Sequence, residues 1–209
     1  MLNADLKQQL KQLLELMESD VEFVASLGSD DKSKELKELL DEIADMSARI
    51  TVTEKDLKRT PSFSVNRPGE ETGVTFAGIP LGHEFNSLVL AILQVSGRAP
   101  KEKQSVIDQI KGLEGPFHFE TFVSLTCQKC PDVVQALNLM SVINPNITHT
   151  MIDGAVFREE SEDIMAVPAV FLDGQEFGNG RKTFQDILTK LGSTQDDSEF
   201  NDKHPYDGV

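Results

Sequence analysis

The sequence predicts an α/β protein in which one fold occurs twice in tandem and the two copies pack as one unit. Three observations predict it. Helix-period and strand-period segments alternate in the order α-β-α-β-(α)-β-β-α, completed once within residues 1–98 and again within 99–192. Each copy has a proline opening a hairpin, Pro61-Ser62-Phe63-Ser64-Val65 in the first and Pro168-Ala169-Val170-Phe171-Leu172 in the second. The connection Gly112 to Gly115 is too short for independent domains, so the copies are expected to share one sheet or one core.

Taken in order, Leu2, Leu6, Leu10, Leu13, Leu14 and Met17 form the buried stripe of a helix over Leu2 to Met17. A strand is expected over Val21 to Leu27, ended by Gly28. Capping residues at Ser29 to Ser33 lead into a helix marked by Leu36, Leu39, Leu40, Ile43 and Met46. Ile50 to Thr53 is a β-branched strand, and Pro61 to Val65 pairs with Val74 to Phe76 across the polar turn Arg67 to Gly73. Glu84 to Val95 is a helix stopped by Gly97 and Pro100. The second round runs helix Lys101 to Leu113, strand Phe117 to Val123, helix Cys130 to Ile143 and strand Ile147 to Ile152. A short helix over Val156 to Ile164 follows, then the hairpin 168–177 turning at Asp173-Gly174, and a helix Thr183 to Leu191. Residues 193–209 read as an acidic linker ending in the apolar start Tyr206-Asp207-Gly208-Val209, as though a further domain followed.

Composition narrows the function. A net charge of −15 over 209 residues argues against a nucleic-acid partner, because phosphate binding needs clustered Lys and Arg. No run approaches the roughly 18 apolar residues needed to cross a bilayer. The start Met1-Leu2-Asn3-Ala4-Asp5-Leu6-Lys7 lacks the basic and apolar regions of a secretory signal, so the expected location is cytoplasmic. In that setting two closely spaced cysteines read as a redox pair rather than a structural staple.

Those two cysteines, in Cys127-Gln128-Lys129-Cys130, stand between a strand and a helix. Unpaired N–H groups and the dipole at a helix N-terminus stabilise a thiolate, which makes Cys127 the expected nucleophile and Cys130 the resolving thiol. Pro131 suits the first turn because its missing N–H is not needed there, and Lys129 adds a nearby positive charge. A half zinc site is a second reading, but structural zinc wants about four ligands and only His118 and His149 could complete it. Two inert buried thiols in a scaffold are a third reading. Where the second copy has its cysteines the first has Ser29-Asp30-Asp31-Lys32, so only one copy is armed. Thioredoxin-like folds place a cis-proline opposite their dithiol, leaving the preceding backbone free to pair with an extended substrate. Val167-Pro168 fits that position, 38 residues after Cys130, and Thr60-Pro61 matches it in the inert copy.

Residues 124–138, from Ser124-Leu125-Thr126-Cys127 through Pro131-Asp132-Val133 to Asn138, resemble the N-terminal domain of the flavoprotein subunit of alkyl hydroperoxide reductase. So do Phe76-Ala77-Gly78-Ile79-Pro80-Leu81-Gly82-His83-Glu84-Phe85 and Met165-Ala166-Val167-Pro168-Ala169-Val170-Phe171. The resemblance covers essentially the whole chain and implies two tandem thioredoxin-like folds with only the second active. It implies a dithiol relay from an FAD- and NADH-dependent reductase domain to a peroxiredoxin of the AhpC type, reducing hydrogen peroxide and alkyl hydroperoxides. It further implies a full-length homodimer. Thr126, Lys129 and Val167, beside the dithiol and before the proline, are the expected substrate contacts. The chain has no G-x-G-x-x-G, so FAD and NADH are expected in the full-length protein and not here. A stand-alone tandem glutaredoxin-like disulfide reductase is the alternative.

Ordinary thioredoxins commonly carry a buried Asp about six residues before the first cysteine; that position here is Thr121, and Glu120 faces the other way by strand alternation. Glu84 is the candidate replacement, reaching across from the inert copy to exchange a proton with Cys130. It could equally be a first-turn Glu that helps only its own helix. His83, His118 and His149 read as surface or strand residues, the methionines as core, and Glu159-Glu160-Ser161-Glu162-Asp163 as a solvated face, with docking of a partner's basic patch as the alternative.

Overall fold

One eight-stranded sheet runs through the molecule in a computed structural model that describes residues 1–192. Its strands are β1 (Val21–Ser26), β2 (Ile50–Glu54), β3 (Ser62–Asn66), β4 (Val74–Ala77), β5 (Phe117–Val123), β6 (Ile147–Asp153), β7 (Ala169–Leu172) and β8 (Gln175–Asn179). They lie in the order β2-β1-β3-β4-β6-β5-β7-β8. Each half repeats the same unit: a parallel pair (β1 with β2, β5 with β6) and an antiparallel hairpin (β3-β4, β7-β8). The halves meet where β4 pairs parallel to β6, in the register Val74↔His149, Phe76↔Met151 and Ala77↔Ile152. The expectation of one continuous sheet is met at this seam, and the last stretch, 193–209, lies outside the described residues.

The helices are α1 (Ala4–Leu14), α2 (Asp31–Asp45), α3 (Phe85–Val95), α4 (Gln104–Lys111), α5 (Cys130–Ile143) and α6 (184–192). A 3-10 turn, Gly82–Glu84, leads directly into α3. Side-chain caps start the first two: the Asn3 carboxamide accepts from Leu6 N–H, and the Asp30 carboxylate accepts from Ser33 N–H. All six pack on the sheet face that presents Phe23, Phe63, Phe76, Met151 and Phe119, because strand alternation puts these large apolar residues on one side. The larger core already mixes the halves, since Val123, Cys130, Val134 and Met151 pack among Leu88, Ile92 and Phe76.

The opposite face is unlike the first. It presents Thr51, Thr53, Ser64, Thr75, Thr148 and Thr150, with Glu120 and His118, and none of the six helices covers it. Its one apolar cluster, Ala77, Phe122, Ile152 and Ala169, is capped by Phe157 and Ile164 from the segment after β6.

Beyond shifts of one or two residues at element ends, three elements differ from expectation. The first helix stops at Leu14 rather than Met17, its end closed by tight bonds from Leu16 N–H to Leu13 O and from Met17 N–H to Leu14 O. Helix α4 holds only Gln104–Lys111 of the span 101–113. The helix expected over Val156 to Ile164 is a run of turns. There Val156 and Phe157 N–H both reach Asp153 O, and Ser161 Oγ back-bonds to Gly154 O and Arg158 O. Such local bonds compete with a helical ladder, and four carboxylates within five residues would repel one another along its surface.

Candidate active site

The dithiol sits where β5 ends and α5 begins, above the seam of the sheet. Cys130 opens the helix and Pro131, which has no N–H to leave unpaired, occupies its first turn, so the positive end of the helix faces the loop before it. Cys130 N–H donates to Cys127 Sγ at 3.2 Å, and Cys127 N–H is fixed on Ser124 O at 3.1 Å. Both cysteines are free thiols; Cys127 is half-buried and Cys130 is fully buried. Burial pushes the Cys130 thiol up, and the Cys127 hydrogen bond and the nearby charges of Cys127 and Glu84 add to the shift. A low-dielectric pocket disfavours the second thiolate for the same reason that it disfavours any unpaired buried charge.

Val167 comes to the dithiol from the far side. The Val167-Pro168 peptide bond is cis, and the Val167 carbonyl lies 3.9 Å from Cys127 Sγ as a weak acceptor. Antiparallel pairing of Phe122 with Ala169 sets this height, bringing the start of β7 beside the end of β5. Among the described residues, Val167 N–H makes no backbone hydrogen bond. Thr60-Pro61 holds the same cis geometry in the other half, and a third cis bond at Gly115-Pro116 gave no signal in the sequence. Thr126 and Lys129 are exposed beside Cys127, with Thr126 Oγ1 3.0 Å from Ser124 Oγ.

The first half supplies a wall of this pocket. His83 N–H donates to Leu125 O at 2.9 Å, tying the 3-10 turn to the loop that precedes Cys127. Gly82 makes the approach possible: at φ +56° a Cβ would stand 2.8 Å from Leu125 O. Glu84, next but one, is 0% exposed, and neither carboxylate oxygen has a well-formed hydrogen bond. Burial raises its carboxyl to about 7, and the neighbouring Ser87 hydroxyl, whose Oγ accepts from Gln135 Nε2 at 3.1 Å, works against the shift without reversing it.

Two polar constellations went unseen in the sequence. His149 is buried, its Nε2 2.7 Å from Thr121 Oγ1 and its Nδ1 2.7 Å from Asn138 Oδ1, which ties β5, β6 and α5 together. Burial lowers its imidazole to about 3, so the ring is neutral. Thr121 thus occupies the site of the missing acid and bonds a histidine. An Asn on the apolar side of α5 was the available clue. The second constellation is Arg59, which grips Glu160 and Glu120 from the first half. The acidic stretch 159–163 is therefore not merely a solvated face. His118 bonds Thr148 at 2.8 Å, and among the described residues no group of three or more His, Cys, Asp or Glu could hold a metal.

The residues present do not fit a flavin or a pyridine nucleotide. A pyrophosphate needs open N–H groups at a glycine-rich strand-to-helix turn. Among the described residues, the turn from β1 to α2 is closed by the Asp30 carboxylate on its own helix, the turn from β5 to α5 holds the dithiol, and the turn from β4 to α3 is occupied by the bond of His83 N–H to Leu125 O.

A doubled thioredoxin-like fold with one C-x-x-C at the head of its fifth helix defines the class. The thioredoxin domain family matches residues 118–192. A crystal structure of the NTD_N/C domain of alkylhydroperoxide reductase AhpF from Enterococcus faecalis superposes with a TM-score of 0.85 at 34% identity. That match covers 91% of this chain and 100% of that one. The chain belongs to the family of these AhpF N-terminal domains. It is 93% identical over 207 residues to the F component of the alkyl hydroperoxide reductase of Staphylococcus epidermidis, covering 99% of this chain and 41% of that protein. A protein disulfide oxidoreductase from Aeropyrum pernix shares the fold at TM-score 0.81 and 20% identity. The chain thus spans about two fifths of the curated relatives it matches. Among the described residues no helix is long and apolar enough to cross a membrane.

Proposed function

We propose that the chain is the dithiol/disulfide relay of an alkyl hydroperoxide reductase, with residues 99–192 as the active copy and 1–98 as its inert partner. Cys127 Sγ, as thiolate, attacks one sulfur of a partner disulfide; that S–S bond breaks, a mixed disulfide forms and the partner's other sulfur leaves as thiolate. Cys130 then passes its proton to the Glu84 carboxylate and attacks Cys127 Sγ. The second partner thiolate leaves, and two electrons have moved from this chain to the partner. Val167 N–H and C=O hold the partner strand beside Cys127, with Thr126 and Lys129 as further contacts.

The observation that carries this reading is the Cys127–Cys130 pair at the α5 N-terminus, with Cys130 N–H on Cys127 Sγ and the unpaired Glu84 carboxyl behind it. The relatives are named for alkyl hydroperoxide reductase, and we infer from this that electrons come from a reductase domain bearing FAD and using NADH and go to an AhpC-type peroxiredoxin that removes hydrogen peroxide and alkyl hydroperoxides. The full-length protein is read as a cytoplasmic homodimer. The test is a reconstitution in which the chain, supplied with reductant, reduces a peroxiredoxin disulfide. Cys127→Ser should abolish transfer; transfer that persists in that variant refutes the relay.

A further inference from the structure

Among the described residues, Arg59 is the only lysine or arginine that is buried, its side chain 8% exposed. It stands on the sheet face that carries no helix. Its Nε donates to both Glu160 oxygens at 3.1 and 2.9 Å, its Nη2 donates to Glu160 Oε1 at 2.8 Å, and Nη2 also meets Glu120. Burial opposes the charge on Glu120, but the Arg59 contacts outweigh it and hold that carboxyl below its usual range. A guanidinium can fork onto a carboxylate in this way, whereas an ammonium presents a single point charge.

We propose that Arg59 is a positioning residue: by clamping Glu160 it fixes the segment from Gly154 to Val167, and so holds the Val167 backbone at the distance from Cys127 that an extended disulfide-bearing peptide requires. The proposal rests on the dithiol reading above and adds a named role for the inert half. Arg59 is placed by that half. Its carbonyl accepts from Ser62 Oγ, the next residue's Thr60 Oγ1 lies 2.6 Å from Ser26 Oγ, and Pro61 O accepts from Gly78 N–H at 3.0 Å. The clamp is therefore built on β1, β3 and β4 before it reaches across.

The segment it grips, residues 154–168, forms no helix or strand, only turns closed by single bonds such as Ser161 N–H on Phe157 O and Ile164 N–H on Ser161 O. One end is tied by Gly154 N–H on Val123 O at 3.1 Å, and the other by Ile164 packing on the cluster of Phe122 and Ala169. Phe157 packs on the same cluster, and the ion pair of Glu160 with Arg59 ties the middle to the first half. Beyond Ile164 the chain crosses open solvent, with Met165 94% exposed, before Val167 arrives 3.9 Å from Cys127 Sγ. Pro168 O accepts from Gly180 N–H at 3.0 Å and fixes Val167 from its C-terminal side, so loosening the middle anchor frees its N-terminal side, and small misplacements of a binding strand weaken productive contact steeply.

The experiment uses the pre-reduced 209-residue chain with two oxidants. One is DTNB, which needs only an accessible thiolate. The other is a disulfide-linked dimer of a nine-residue peptide, which must also lie along Val167. Glu160→Gln keeps Arg59 on Glu120 and should raise the half-saturating peptide concentration by about fivefold, while DTNB reduction stays within about 1.5-fold. Arg59→Lys should do the same, and the double variant should be no worse than either. The proposal is overturned if Glu160→Gln leaves the peptide's half-saturation unchanged, or slows both oxidants equally, as a merely structural pair would. Failure of the unaltered chain to reduce DTNB would remove the dithiol reading itself and the clamp with it.

Discussion

Replacing Glu84 by glutamine keeps the side chain's size and removes its ionisation. In the folded chain burial carries this carboxyl from an ordinary 4.5 to about 7. The folded state therefore keeps a proton that the unfolded chain releases between those two values. The unfolded chain binds fewer protons in that window, so stability falls as pH rises through it, and the loss is complete above about 7. A shift of this size corresponds to about 3 kcal/mol, of which about 2 kcal/mol develops between pH 5 and pH 8. Urea unfolding of the reduced chain at both pH values, for wild type and Glu84→Gln, isolates the effect because every other titrating group is common to the two. The variant should gain about 2 kcal/mol relative to wild type on going from pH 5 to pH 8. A change below about 0.5 kcal/mol would mean that the carboxylate ionises in place without penalty, and the same group could not then serve as a proton acceptor tuned near neutrality. The kinetic counterpart is resolution of the mixed disulfide, whose rate in the variant should fall and lose its inflection near pH 7.

Other consequences can be read by simple assays. Limiting iodoacetamide at neutral pH should label Cys127 alone, because Cys130 is buried with its thiol pushed up; peptide mass spectrometry reporting equal labelling would contradict this geometry. Cys130→Ser should accumulate a mixed disulfide with the oxidant, visible on a non-reducing gel, where wild type shows none. His149 has a folded value near 3 against an ordinary 6.5, so its contribution is present above 6.5 and is lost as pH falls below it; His149→Gln should flatten the decline in stability between pH 6 and pH 4. Phe63→Ala, in the inert half, should destabilise the whole chain by about 3–5 kcal/mol in one cooperative transition, since Phe63 stacks on Phe76 beside the seam. Two separate transitions would show that the halves unfold independently.

Much of this fold is legible in residue order alone. Period-two and period-3.6 segments distinguish strands from helices, and the repeated proline-led hairpin betrays the duplication. The dithiol is legible because C-x-x-C at a strand-to-helix turn has a chemical reason behind it. Glu84 is legible only by elimination, through the absence of an acid at Thr121. What stayed hidden depends on which strands become neighbours. Pairing of β4 with β6 places Val74 beside His149, and nothing local in either strand specifies that choice. Arg59 and Glu160 lie 101 residues apart, each within an ordinary polar loop, and only the completed sheet sets them face to face. The stretch after β6 misled for the opposite reason: its composition suits a helix, while Asp153 and Ser161 close it into turns.

The shared sheet gives the inert half a reason to persist. A single copy would end at β6 with an open edge, and β4 covers that edge by parallel pairing. Once the seam exists, the end of β4 points the Gly82–Glu84 turn at the dithiol loop on the helical face. The loop before β3 meets the segment after β6 on the opposite face, through Arg59. Both contacts lie at the same end of the sheet as Cys127, because the parallel strands β4, β5 and β6 finish there together. A half without cysteines can therefore act on both walls of the proposed site, through a proposed proton acceptor behind Cys130 and a proposed anchor for the strand that faces Cys127. On this view a substitution in residues 1–98 that leaves the fold intact can still alter disulfide exchange, provided that it touches one of those two contacts.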